Sequence, residues 1–272
     1  MLDSYFFTPG DKPEYLNKIG ELKADYFVID LEESVSNTNK LQAFENVEKL
    51  EVAENIFIRI PFKDNIYSKE QIIYLINKFK GRIVLPKVID VNDIKNLVSL
   101  SNFDFSFKII VLIENPTCFL NISEIIKDGK NHIHAIGFGS HDFCSVMGIK
   151  HNLKHLSFYR NQLIVTAKSF NISYVDGVDL NIKNLSNFID ECIFGFNSGA
   201  DGKFIIHPSQ LKKMNEIEYF SENEIIQMRR VQQKASNISD NDIDIIEFEG
   251  KIYEKPHLLR INKIINKLKE SI

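Results

Sequence analysis

The chain has 272 residues, 44% apolar and 26% charged, a globular composition long enough for one large domain or two small ones. With 33 basic against 37 acidic residues the formal charge is −4, so nothing favours a phosphate backbone as partner and no nucleic acid is expected. Three cysteines without a CxxC pairing (Cys118, Cys144 and Cys192) leave a disulfide scaffold and a Cys-based zinc site unsupported and predict a cytoplasmic setting, and no signal peptide or membrane span is expected.

In chain order, SYFFTPG (4–10) reads as a strand, and Asp11 with Pro13 and Glu14 starts a helix. YFVIDLEE (26–33), NIFIRIP (55–61) and RIVLPKV (82–88) are the next strands. Ser68 with Gln71 has capping-box spacing before IIYLINKF, and Asp90 and Asp93 precede apolar Ile94, Leu97 and Val98. FKIIVLIENP (107–116) is a strand, followed by a helix with Ile122, Ile125 and Ile126 on one side that stops at Gly129. HAIGFGSHDF (134–143), SYVDGVDL (173–180) and GKFIIHP (202–208) complete the strands, separated by helices at RNQLIVTAKSF (160–170) and LSNFIDECIFGF (185–196). Most of these runs are continuously apolar rather than alternating, as parallel strands covered on both faces must be. Eight strands alternating with seven helices predict a (β/α)8 TIM barrel over residues 1–210, with an open doubly wound sheet as the competing arrangement. Residues 211–272 break the rhythm: Ser221 with Glu224 caps a polar helix, FEGKIYEKP reads as a hairpin and HLLRINKIINKL as an amphipathic helix. They are expected to be an extension of the barrel, a lid or oligomer contact and not an independent domain.

In a barrel the chemistry sits at the C-terminal ends of the strands. Those ends read Pro9-Gly10, Asp30-Leu31-Glu32-Glu33, Arg59, Lys87, Glu114, Asp142 and His207-Pro208. Each alone has a structural explanation, a helix cap or an internal ion pair, but as a convergent set they point to a site. Glu114 and Asp142 are expected to close neighbouring strands, where two carboxylates with waters and a substrate would hold Mg²⁺, with Mn²⁺ as the alternative ion. The same pair would suit a glycosidase, but the chain has no Trp to make sugar platforms. His132, His134, His151 and His155 read as structural or surface residues. Asp201-Gly202-Lys203 is too short to be a nucleotide signature, and no GxGxxG or Walker pattern is present.

With FFTPG, DLEES, PK at 86–87, IEN at 113–115, GFGSHDF and GADGKFIIHPSQL in this order, the chain resembles the citrate lyase β-subunit-like family of the HpcH/HpaI aldolase and malyl-CoA lyase superfamily. The resemblance runs from about Ser4 to Pro256. It implies a barrel of the phosphoenolpyruvate/pyruvate-binding type that uses Mg²⁺, with Glu114 and Asp142 as metal ligands and Arg59 as the substrate-binding arginine. It places Asp30, as a catalytic group, with Glu32 and Glu33 near the metal's waters, and Glu32, Glu33, Pro9, Gly10 and Lys87 around the substrate. It also implies reversible cleavage of a hydroxy-carboxylate, as free acid or as CoA or acyl-carrier thioester, to a 2-oxo acid and an acetyl unit, in a homo-oligomer such as a trimer. Departures from the pattern are Asp3 before Ser4, Pro61 in place of the amide after Arg59, Glu33 in DLEE, and Glu254 in Ile252-Tyr253-Glu254-Lys255-Pro256. Glu254 matches the position of a lid acid/base group. The alternative is a catalytically weak or non-CoA homologue, acting as a pathway-specific aldolase or as a structural or binding subunit.

Overall fold

Phe, Val, Ile and Leu dominate eight short runs, and in a computed structural model each run forms a strand. The strands are β1 (Asp3–Pro9), β2 (Tyr26–Asp30), β3 (Ile56–Arg59), β4 (Arg82–Leu85), β5 (Lys108–Ile113), β6 (Ile133–Phe138), β7 (Ser173–Asp176) and β8 (Gly202–Ile205). The structure describes residues 1–64, 66–101, 105–236 and 245–270. All neighbouring strands are parallel and β8 pairs back onto β1, with Ser4 opposite Lys203, so the sheet closes into a barrel and the open-sheet alternative falls. The helices between them are α1 (Pro13–Leu16), α2 (Lys40–Lys49), α3 (Lys69–Lys78), α4 (Val91–Val98), α5 (Pro116–Gly129), α6 (Ser140–Met147), α7 (Leu153–Ser169), α8 (Ser186–Ser198) and α9 (Pro208–Asn215).

The continuous apolar runs are explained by two buried faces. One side-chain set, including Tyr5, Val28, Phe57, Val84, Ile110 and Phe204, fills the barrel interior. Their chain neighbours Ile29, Ile58, Ile83 and Ile109 lie on the opposite face by the two-residue period and are fully buried as well. The caps form where expected. The Gln71 amide donates to Ser68 Oγ at 3.3 Å and the Ser68 amide to Gln71 Oε1 at 2.9 Å, while Asp90 and Asp93 make a second capping box on α4. One boundary differs in a way that matters. The run 134–143 is not one strand: β6 stops at Phe138, Gly139 precedes α6, and Asp142 sits in the first turn of that helix.

Leu2–Glu216 form one compact unit, and the chain from Ile217 onward forms a second, together with Met1. The second consists of α10 (Glu222–Ser236), the antiparallel hairpin β9 (Ile245–Phe248) and β10 (Lys251–Glu254), and α11 (Lys255–Glu270). Its hairpin turns through Glu249 and Gly250, both at positive φ as a tight two-residue turn requires. It has its own core of Val231, Ile246, Leu258, Ile261 and Ile265. Among the described residues, no helix is long and apolar enough to cross a membrane.

Candidate active site

Parallel strands deliver their last residues to one end of the barrel, and there the side chains line a cavity of about 520 Å³. Asp30 and Arg59 are register partners at the ends of β2 and β3. The Arg59 fork donates from Nε to Asp30 Oδ1 at 2.7 Å and from Nη2 to Oδ2 at 2.6 Å, a bidentate pair with almost no exposure. The Glu32 and Ser34 amides complete Asp30's shell at 2.8 and 3.0 Å. Burial alone would raise the Asp30 carboxyl, but Arg59 and these donors override it and hold it below its ordinary value. Arg59 Nη1 lies 3.3 Å from Glu32 and 3.6 Å from Glu33.

Lys87 adopts a left-handed conformation, φ +56°, in the turn after β4. That turn aims its amide at Glu114 Oε2, 2.7 Å away, while its half-exposed ammonium pairs with Asp64 at 2.7 Å and with Glu32 at 3.3 Å. Glu32 has no hydrogen bond to either carboxylate oxygen, so the two cations at ion-pair distance are its support, and burial raises its carboxyl. Glu114, just past β5, is buried and its carboxyl is pushed up to about 8, by burial first and then by the charges of Glu32 and Asp142, against the Lys87 amide and Arg59, which lower it. Gly139 makes room for it: a Cβ there would overlap Glu114 Cγ. Asp142 reaches the same cavity from the first turn of α6.

The cavity therefore gathers Asp30, Glu33, Arg59, Glu114 and Asp142 on its wall, while Glu32 and Lys87 are not among its lining residues and join the group through their ion pairs. Pro9 and Gly10 lie at the end of β1, where the Gly10 amide donates to the Asp30 carbonyl at 2.9 Å, and the β1 residue on the wall is Phe7. Glu254 is the exposed last residue of β10 in the C-terminal unit, and the cavity's lining residues all come from the barrel unit. His207 is turned to local work: its Nδ1 accepts from the Ser209 amide at 3.2 Å and caps α9.

Ser140 and His141, which are not among the expected site residues, line the cavity beside Asp142. His141 stacks face to face on His151 at 3.8 Å, and His151 in turn bonds Ser140 Oγ at 2.9 Å, its ring driven down to about 4 mainly by burial. The signal was the dipeptide Ser140-His141 directly before Asp142, hidden because this stretch reads as strand rather than helix.

A pair of carboxylates suits a hard divalent cation. Glu114 and Asp142 share the cavity wall and could hold such an ion. Among the described residues no group of three or more His, Cys, Asp and Glu is arranged around a single point, so an ion held here would keep waters or substrate oxygens in its shell.

The family model described as HpcH/HpaI aldolase/citrate lyase matches residues 3–208. The chain is 24% identical to the (3S)-malyl-CoA thioesterase of Cereibacter sphaeroides, covering 97% of this chain and 93% of the relative. It is 23% identical to citrate lyase subunit beta of Leuconostoc mesenteroides subsp. cremoris, over 95% of this chain and 90% of that one. Its backbone superposes with a TM-score of 0.81, at 19% identity and covering 98% and 97% of the two chains, on Mycobacterium tuberculosis protein CitE, solved with magnesium, acetoacetate and coenzyme A.

Proposed function

We propose that this chain, which belongs to the HpcH/HpaI aldolase/citrate lyase family, is a Mg²⁺-dependent carbon–carbon lyase or aldolase that exchanges a hydroxy-carboxylate with a 2-oxo acid and an acetyl unit. One observation carries the reading. Five carboxyls, those of Asp30, Glu32, Glu33, Glu114 and Asp142, gather around two cations, Arg59 and Lys87. An anionic substrate would be repelled from such a site unless a divalent cation offset the excess. The name of the citrate lyase relative and the magnesium and acetoacetate held by a structural neighbour support it, whereas the name of the thioesterase relative points to thioester hydrolysis.

In this reading Glu114 and Asp142 hold the ion. When bound, the ion supplies a Lewis acid that polarises the substrate carbonyl and offsets negative charge developing on its oxygen. Arg59 neutralises the substrate carboxylate, and Asp30 acts through it: with both oxygens engaged by the guanidinium fork, Asp30 sets the plane in which Arg59 meets the substrate. Lys87 orients Glu114 through its amide rather than its ammonium. Glu254, which the resemblance matches to an acid/base position, is the candidate proton carrier.

Thermal denaturation tests the reading. Mg²⁺ with pyruvate or oxaloacetate at about 100 times Kd adds about 2.7 kcal/mol, a rise of roughly 5–10 °C in Tm for wild type and none for Glu114→Ala. Absence of any shift with any divalent ion overturns the enzyme reading. Incubation with malyl-, citramalyl- and citryl-CoA, followed by release of acetyl-CoA or 2-oxo acid, separates thioester from free-acid chemistry. Glu254→Gln abolishes turnover and spares ion binding if Glu254 carries the proton.

A further inference from the structure

Around the closed barrel the cavity wall is divided by strand. Every charged wall residue comes from β2 through α6, whereas the arc β7–β8–β1 contributes Phe7, Val178, Leu180, Phe204 and Ile206. Three of the polar side chains in the arc are committed elsewhere. Asp176 is fully buried against Arg160 and Lys203, Asp179 accepts from the Asn181 amide at 2.9 Å and from Asn187 Nδ2 at 3.1 Å, and His207 caps α9. The apolar surface starts immediately beside the anchoring cation. The Phe7 and Phe204 rings lie 5.2 Å apart, and the Arg59 guanidinium stands 5.0 Å from the Phe7 centroid. A volume of about 520 Å³ has room for roughly 17 waters at ~30 Å³ each, so pyruvate would leave most of it unfilled.

Resting on the 2-oxo-acid reading above, we infer that the acid handled here bears a hydrocarbon arm, linear, branched or aryl, rather than a second carboxylate. With its carboxylate at Arg59 and its oxo group toward Glu114 and Asp142, the rest of the molecule extends over Phe7, Val178 and Ile206. A second carboxylate laid over that arc would meet no cation among the described residues that line the cavity and would lose hydration, whereas a chain of methylenes leaves water for apolar surface.

Calorimetric titration of the full-length protein in Mg²⁺ with pyruvate, 2-oxobutyrate, 2-oxohexanoate, phenylpyruvate and oxaloacetate tests it. Kd is expected to fall about fourfold per added methylene, with oxaloacetate binding more weakly than 2-oxohexanoate. Leu180→Asn and Val178→Thr, on the half-buried to exposed rim, should flatten that dependence. Glu114→Gln should weaken every acid of the series. A series that is flat or rising in Kd, or led by oxaloacetate, and still lost in Glu114→Gln overturns the hydrocarbon-arm inference and leaves the metal-dependent site standing. Acids that fail to bind with Mg²⁺, or that bind Glu114→Gln equally well, overturn the site reading and this inference with it.

Discussion

Replacing Lys203 by Met tests how the β7–β8 side of the barrel is held together. Lys203 is wholly buried on β8, with its ammonium 2.6 Å from Glu191 Oε2 and 3.6 Å from Asp176 Oδ2. Arg160 of α7 completes the group, paired to Asp176 through Nε at 2.8 Å and through a close Nη2 contact, and to Glu191 at 3.2 Å. Two cations thus balance two carboxylates, all between 0 and 2% exposed. Met fills much of the lysine's volume but leaves both carboxylates to Arg160 alone, and an uncompensated buried charge of this kind costs about 3–5 kcal/mol. With a urea m-value of about 2 kcal/mol/M, the barrel's midpoint should fall by roughly 2 M in a far-ultraviolet circular dichroism titration. Glu191→Gln in the same chain removes the surplus charge, so the double variant should recover at least about 1 kcal/mol of the loss. A single variant that loses less than about 1 kcal/mol, or a double variant no more stable than the single, would refute the charge-balance account.

Three further outcomes follow from the geometry. Burial alone would raise the Asp176 carboxyl, yet Arg160 and Lys203 hold it down at about 2, from an ordinary value of 3.8. A depressed carboxylate contributes stability that is present above its unfolded value and is lost as pH falls through about 2, so on the order of 2 kcal/mol should disappear between pH 4 and 2, a slope absent from Asp176→Asn. Gly139→Ala drives a methyl into Glu114 Cγ; it should lower stability by about 1–3 kcal/mol and weaken Mg²⁺ binding measured by calorimetry, and unchanged ion affinity would show that Glu114 needs no such cradle. Lys87→Gly keeps the positive-φ amide aimed at Glu114 and should retain ion binding, whereas Lys87→Val must hold a β-branched residue in the left-handed region at about 1–3 kcal/mol; equal loss of ion binding in the two variants would assign Lys87's role to its ammonium.

The fold was legible in the chain because hydrophobic period is a local property. A strand covered on both faces must be apolar at every position, so YFVID, NIFIR and KIIVLI announced themselves without knowledge of their neighbours. Caps are equally local, which is why Ser68 with Gln71 and Ser221 with Glu224 form as their spacing predicts. The Glu114 position could be read because it directly follows a strand whose direction is known. Asp142 was reachable by motif, but its place on a helix was not, since GFGSHDF carries the apolar residues of a strand, and the close approach of Glu114 to Gly139 comes from a residue 25 positions away.

Everything that depends on which residues meet across strands was decided only by the tertiary structure. Asp30 and Glu33 are three residues apart and alike in charge, yet closure of the barrel sets Asp30 opposite Arg59 and commits both its oxygens, while Glu33 stays half-exposed on the cavity wall. Lys203 sits in the unremarkable triplet Asp201-Gly202-Lys203, and its partners lie on β7 and α8. The length and composition of the chain allowed a large barrel, and its local patterns drew the strands and helices. The division of the cavity into a charged arc and an apolar arc has no counterpart in the linear order, because β1 and β8 become neighbours only when the sheet closes.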